Sequence, residues 1–341
     1  GATGNLARKY LWQALFDTHV ASPASPFFVV AGARQAAGAA KDILADIFDS
    51  DVRCSSSALE AGGHPAAACD TLKSAFVAAV PYFQLKTGAD YSAMEAGVEA
   101  GNPNEVGRVF YLSIVPKAYA SVAALIAENA MPAAPAWARL VVEKPIGDSG
   151  PSAATLLGTL ETLFTSDQIL CVDHYLGARV DPIVEFRAAA LGTPLDTAAA
   201  ASYDVVMTES ETCAGRTWFY NDVGVVRDVM QNHASELFSH ATADLFVDTG
   251  VDADGEASGP SVAAVLPEAR AAAMGRLQAY PKHVAADGSK GGAHTPTAAT
   301  VVFTMDDPHS EHDIGVMFTA GKGFPRKDGY VAAHFDATTT V

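Results

Sequence analysis

The sequence is short of positive charge and of cysteine, and it contains no long apolar run. Its 22 Lys and Arg stand against 39 Asp and Glu, a formal net charge of −17. A nucleic-acid or anionic-membrane partner, which needs a basic footprint, is therefore not expected. A phosphorylated small molecule stays open, because a few locally clustered cations are enough to hold it. The four cysteines, Cys54, Cys69, Cys171 and Cys213, lie at no metal-ligand spacing, so no structural zinc or other metal is expected; they leave the redox compartment undecided. No apolar stretch has the length of a membrane span. The acidic, glycine-rich stretch 246–260 lacks the ligand pattern and closing Glu of a calcium loop and reads as a solvated loop. The chain also has no Met at its start and no strand ahead of its first glycines. A first strand, and any targeting segment, are expected to lie outside it.

What is present is a core-forming chain of 341 residues, 49% hydrophobic, long enough for two domains. It opens Gly1-Ala2-Thr3-Gly4-Asn5-Leu6-Ala7, a variant of the dinucleotide fingerprint. There a tight turn and a close backbone approach to the pyrophosphate precede a helix, here Leu6 to about Phe16. Residues 27–31 read as a strand ending near Arg34, and an Arg after the second strand accommodates a 2′-phosphate, which favours NADP over NAD. Residues 36–80 have a helical pattern interrupted at Gly62-Gly63-His64-Pro65, with His64 a loop residue. Arg108 to Pro116 and Arg139 to Glu143 read as buried strands, 151–168 as one helix carrying Leu156, Leu157, Leu160 and Leu163 on a face, and Ile169 to Val172 as a strand. The second half reads as α+β: a strand from Ala201 to Thr208, a helix from Tyr220 to about Leu245, and strands at 297–305, 314–319 and 329–335. On an α-helix Asp228 and His233 stand about 140° apart and can flank one pocket.

Three strings narrow this reading. Glu143-Lys144-Pro145, Asp173-His174-Tyr175-Leu176-Gly177 and Gly224-Val225-Val226-Arg227-Asp228-Val229-Met230-Gln231-Asn232-His233 follow in that order. Together they closely resemble the signature of glucose-6-phosphate dehydrogenases. The resemblance runs from residue 1 to about 330, weaker over 36–80 and 240–295. Tyr10-Leu11-Trp12-Gln13 and Gln84-Leu85-Lys86-Thr87 look closest to the hexose-6-phosphate dehydrogenase branch.

The resemblance implies a Rossmann-type α/β dinucleotide-binding domain over 1–172, lacking its first strand. An α+β substrate and dimerisation domain would follow over 173–341, with a large, mainly antiparallel sheet that continues past the chain. It implies oxidation of glucose 6-phosphate, or a related hexose 6-phosphate, to the 6-phosphogluconolactone with NADP, with NAD as the alternative acceptor. Oxidising the hemiacetal hydroxyl requires a base for its proton, and a neutral His oriented by a carboxylate suits neutral pH. His233 is the expected base and Asp173 its orienting carboxylate, carried over from the family's pair. Lys144, the third catalytic residue the resemblance implies, would lie between sugar and cofactor. A sugar phosphate asks for a His and cations on its phosphate and carboxylates on its hydroxyls. By resemblance His174 and Tyr175 take the phosphate, Glu209 and Asp228 the hydroxyls, and Lys322 and Lys327 (or Arg326) add charge. Gly1, Thr3, Gly4, Asn5, Leu6, Arg34, Pro116 and Lys144 would hold the cofactor. A homodimer or homotetramer follows if the whole sheet is present, in the endoplasmic reticulum lumen or the cytoplasm.

The chain departs from the pattern in a few places. Asn5 replaces the family's usual Asp, and Val115 replaces the first of two prolines. Ala178 stands where the family has a phosphate-binding Lys, with Arg179 one place later. Loss of one charge-assisted phosphate contact costs about 1.5–3 kcal/mol, or roughly ten- to a hundred-fold in binding. These departures keep a second reading beside the first: a weakened or inactive dehydrogenase-like subunit with a structural or regulatory role.

Overall fold

The computed structural model describes residues 1–24, 27–102, 106–147, 149–173, 176, 200–211, 223–242, 298–306 and 313–335. The chain divides into two compact units, Gly1–Val172 and Asp173–Val341.

Among the described residues of the first unit every strand pairing is parallel. Strand β1 (Ala31–Ala33) pairs with β2 (Tyr82–Gln84), and β3 (Gly107–Leu112), β4 (Trp137–Glu143) and β5 (Ile169–Val172) form a second ribbon in that order. The strand expected over 27–31 is three residues instead, at 31–33, because β2 offers only three partners for its ladder. Strand β3 likewise stops at Leu112: Ser113 and Ile114 donate back to the carbonyls of Tyr111 and Leu112, and the chain turns away. The helices are α1 (Trp12–Ala21), α2 (Ala37–Ser50), α3 (Ser56–Ala61), α4 (Cys69–Ala79), α5 (Gly88–Gly101), α6 (Tyr119–Asn129) and α7 (Gly150–Glu161). A π-helical stretch, Ala7–Leu11, leads into α1.

Local chemistry sets these boundaries. Helix α5 starts at Thr87, where the Asp90 carboxylate reaches back to accept from the N–H groups of Lys86 and Thr87 at 2.9 and 2.8 Å and fixes the chain's entry into the helix. Helix α7 starts at Ser149, whose hydroxyl accepts from the Ser152 N–H. It was expected to run to 168 and ends at Glu161, because Thr159 and Thr162 turn their hydroxyls onto the carbonyls of Thr155 and Thr159 and compete with the helical ladder. Two apolar clusters hold the unit. One gathers Trp12, Phe16, Phe48 and Phe76 from α1, α2 and α4, with edge-on ring contacts at 5.6–5.7 Å among them. The other sets Leu140 and Val142 of β4 against Tyr119, Ala123, Ile126 and Leu160 of α6 and α7.

The second unit centres on a sheet ordered β7 (Ala298–Asp306), β8 (Asp313–Gly321), β6 (Ala200–Thr208), β9 (Asp328–Phe335). Pairs β7–β8 and β6–β9 are antiparallel and β6–β8 is parallel, so the described sheet is mixed but mainly antiparallel. Side chains alternate with the period of two that strands impose: Tyr203, Val205, Met207, Val316 and Phe318 are buried, while Val302 and Tyr330 are exposed. The buried face packs on a π-helix, Val226–Ala234, and on α8 (Ser235–Ala241), through Val229, Met230, Leu237 and Phe238.

Candidate active site

Near the chain start, backbone geometry dominates. A Cβ added to Gly1 would fall 1.8 Å from the carbonyl oxygen of Ser113, so only glycine fits where the opening turn meets the end of β3. Gly4 closes the turn by donating to the Gly1 carbonyl at 2.9 Å, and the helix begins at Asn5 and Leu6. Ala2 donates to Gly32 O at 3.0 Å, and Thr3 donates to Gln35 Oε1 at 2.9 Å. These bonds set the glycine turn beside the loop carrying Arg34, which is exposed. That loop is gripped from β2: Gln84 donates to the Arg34 carbonyl at 2.9 Å and Tyr82 to the Gln35 carbonyl at 2.8 Å. Pro116 occupies the first turn of a 3₁₀ helix, 116–118, just past Ser113. The Ser113 hydroxyl, beside Gly1, is buried with no hydrogen-bond partner among the described residues. A turn that only glycine fits, a helix start, an orphaned hydroxyl and a nearby guanidinium suit a phosphorylated dinucleotide.

Lys144 follows the last residue of β4, at the C-terminal edge of the ribbon, where ligands sit in open α/β sheets. Its N–H donates to Val172 O at 3.3 Å. Beside it Glu143, only 4% exposed, lies in a cluster of phenols that the sequence reading passed over. The Tyr111 hydroxyl bonds its carboxylate, and the Tyr119 hydroxyl bonds its backbone. Burial pushes the Tyr119 hydroxyl up to about 12, and burial reinforced by the Glu143 bond pushes Tyr111 higher still.

The second unit works with charged side chains. His233 Nδ1 lies 2.7 Å from Asp173 Oδ2, and the other Asp173 oxygen accepts from the Leu176 N–H at 3.1 Å. Both side chains are about 11% exposed. The residues the sequence places 60 positions apart are therefore brought into contact. The helix that carries His233 differs from the expected α-helix: Val226–Ala234 is π-helical, with Ser235 N–H bonded to Met230 O. The i→i+5 closure widens the turn, so Asp228 and His233 stand closer round the axis than the 140° of an α-helix. The parts of the expected helix at 220–222 and 243–245 lie outside the described residues.

A second cluster forms where β6 and β8 end. Lys322 makes an ion pair with Glu209, and its Nζ stands 3.6 Å from Asp228 Oδ2; all three side chains are nearly buried. The loop carrying Lys322 is clasped to the end of β6: Glu209 N–H donates to Gly321 O at 2.8 Å, and Phe324 N–H donates to Glu209 O at 2.9 Å. Gly323 turns this loop at φ +73°, a conformation that favours glycine. Buried Thr208 accepts from the Asp328 N–H at 3.2 Å and donates to Arg326 O at 3.3 Å, fixing the far end. Lys327 is exposed on this loop, and Arg326 pairs with Asp328 at 2.6 Å. His174, Tyr175, Ala178, Arg179 and the 246–260 stretch lie outside the described residues. No cluster of metal-ligating side chains occurs among the described residues.

The sequence reading also missed a disulfide, Cys54–Cys69, with Cα atoms 5.9 Å apart. It ties the segment between α2 and α3 to the first residue of α4. The available signal was two cysteines 15 positions apart on either side of a short helix.

Residues 1–180 match the family described as glucose-6-phosphate dehydrogenase, NAD binding domain. Over 98% of its length the chain is 31% identical to the GDH/6PGL endoplasmic bifunctional proteins of Oryctolagus cuniculus and Homo sapiens, and it spans 43% of each. The chain thus spans less than half the length of these curated relatives. A crystal structure of glucose-6-phosphate 1-dehydrogenase from Mycobacterium avium superposes with a TM-score of 0.71 at 22% identity, over all of this chain and 72% of that one. With the family's domain matched over more than half its residues, the chain belongs to the glucose-6-phosphate dehydrogenase family.

Proposed function

We propose that this chain carries out oxidation of glucose 6-phosphate, or a closely related hexose 6-phosphate, to 6-phosphogluconolactone with NADP as acceptor, the first step of the oxidative pentose phosphate pathway. The observation that carries the reading is the 2.7 Å contact between His233 Nδ1 and Asp173. With Nδ1–H donating to the carboxylate, Nε2 is the basic nitrogen, the arrangement needed to take the proton of the C1 hydroxyl. Asp173 orients the ring and stabilises the imidazolium that forms. NADP, when bound, supplies the nicotinamide that receives the hydride from C1. Glu209 and Asp228 are assigned the sugar hydroxyls, His174, Tyr175 and Lys327 the phosphate. Lys322 holds the two carboxylates together and is assigned a substrate contact. Gly1, Thr3, Gly4, Asn5, Leu6, Pro116 and Arg34 are assigned the cofactor, Arg34 its 2′-phosphate, and Lys144 is assigned a catalytic role between sugar and cofactor.

Assembly as a homodimer or homotetramer through the second-unit sheet, and residence in the endoplasmic reticulum lumen, belong to the same proposal. The compartment is supported by the word endoplasmic in the names of the mammalian relatives and by the Cys54–Cys69 disulfide, which persists in oxidising surroundings. The test is formation of reduced nicotinamide from glucose 6-phosphate with NADP and, separately, NAD, in the full polypeptide and in Asp173→Asn and Ala178→Lys. Turnover that Asp173→Asn cuts by at least a hundred-fold supports the reading. Tight NADP binding without turnover in either the parent or Ala178→Lys would replace it with the inactive-subunit alternative.

A further inference from the structure

One buried carboxylate has no part in the chemistry above. Glu143 is the last residue of β4 and the one before Lys144, and it is 4% exposed. The β3–β4 register ends one residue earlier, at Leu112 opposite Val142, because β3 turns away at Ser113. On that side of Glu143 the place of the next strand residue is taken by a side chain. The Tyr119 hydroxyl, from the first turn of α6, donates to Glu143 O at 3.0 Å and stands 3.2 Å from its N–H as acceptor. A single phenol thus completes the ladder where the strand has run out. Tyr119 is itself 1% exposed, fixed among Leu140, Val142 and Ile126. On the opposite side β5 continues the pairing through Val172, whose carbonyl accepts from the Lys144 N–H. The Glu143 carboxylate is held in turn by the Tyr111 hydroxyl from the neighbouring strand.

We propose that Tyr119, Tyr111 and Glu143 are positioning residues for Lys144: two phenols lock the backbone and the carboxylate of Glu143, and so fix the point from which the Lys144 side chain leaves the sheet. A strand end held on one side only would pivot, and a displacement of about 1 Å at a reacting group costs up to a hundred-fold in rate. The two phenols divide the task, Tyr119 acting on the main chain and Tyr111 on the side chain. Removing Tyr119's hydroxyl therefore costs more in positioning than removing Tyr111's. This proposal rests on the role assigned above to Lys144.

The experiment uses the full polypeptide with Tyr119→Phe, Tyr111→Phe, Glu143→Leu and Glu143→Gln. It measures steady-state kinetics with glucose 6-phosphate and NADP, NADP affinity by calorimetric titration, and the acylation rate of Lys144 by peptide mass spectrometry, all well below each variant's melting temperature. In Tyr119→Phe and Glu143→Leu, kcat is expected to fall about ten- to a hundred-fold, with both KM values and NADP affinity within about two-fold of the parent. Glu143→Gln, which can still accept from Tyr111, is expected to recover most of that loss, and Tyr111→Phe to fall between. Lys144 acylation should change at least three-fold in Tyr119→Phe. Equal losses in kcat, KM and NADP affinity, or no recovery in Glu143→Gln, would overturn the proposal in favour of a general packing role. If the parent does not turn over, the functional reading fails, and the acylation rate alone decides the positioning claim: a rate unchanged in Tyr119→Phe overturns it.

Discussion

The two units assemble their candidate site groups by opposite means. In the first unit, main-chain geometry places them: a turn that only glycine fits at Gly1, a strand end at Lys144, and a loop at Arg34 held by its carbonyls. In the second unit, charged side chains hold one another, His233 on Asp173 and Lys322 on Glu209 and Asp228. Backbone-built sites tolerate change in side-chain charge but not in shape. Sites built from ion pairs tolerate small changes of shape but not the loss of a partner, because the remaining charge is left nearly buried.

The sharpest way to break this contrast is at His233, the proposed base. His233→Asn is expected to lower kcat by about a hundred- to ten-thousand-fold while leaving NADP affinity, a property assigned to the first unit, within two-fold; calorimetric titration and initial rates measure both. A matching loss of NADP affinity would show that the units are not separable in function. Next in size, Cys54→Ser with Cys69→Ser is expected to destabilise the first unit by about 3 kcal/mol, the loop entropy of a 15-residue closure. Denaturant unfolding followed by hydrogen exchange would show the loss confined to 1–172. Lys322→Met is expected to destabilise the second unit by about 1–3 kcal/mol, because Glu209 and Asp228 then face each other without a cation. The companion Lys322→Met/Glu209→Gln should recover part of that loss.

The smallest effect is a pH dependence confined to the first unit. The Tyr119 pKa is raised in the folded state from 10.0 to about 12, so folding favours its protonated form. Its contribution is whole below pH 10, the unfolded value, and is lost as pH rises towards 12, at up to about 1.4 kcal/mol per pH unit. Tyr111 moves in the same direction. Stability measured between pH 9 and 12 should therefore fall less steeply in Tyr119→Phe than in the parent, and an unchanged slope would show that Tyr119 does not titrate with unfolding.

Much of the first unit was legible because its determinants are local. The run ending in Glu143 gave a strand within two residues of the one observed, and the helix read from 151 begins at Gly150. Legibility failed where a neighbour decides the outcome. Residues 27–30 carry strand-forming side chains, but a strand is a pairing, and β2 reaches only Ala31–Ala33. In the second unit the strands were legible as strand-like runs, while the order β7-β8-β6-β9, with a parallel pair at its centre, was not.

The family is legible in residue order alone, through three ordered strings whose residue types the proposed chemistry requires. Tertiary structure alone decided the rest. It joined Asp173 to His233 across 60 positions and Lys322 to Glu209 across more than a hundred. It also seated the Tyr119 hydroxyl where β3 ends. Each of these is a contact between segments distant in the chain. Hydrogen bonds and ion pairs act over a few ångströms of space, whatever the separation along the chain.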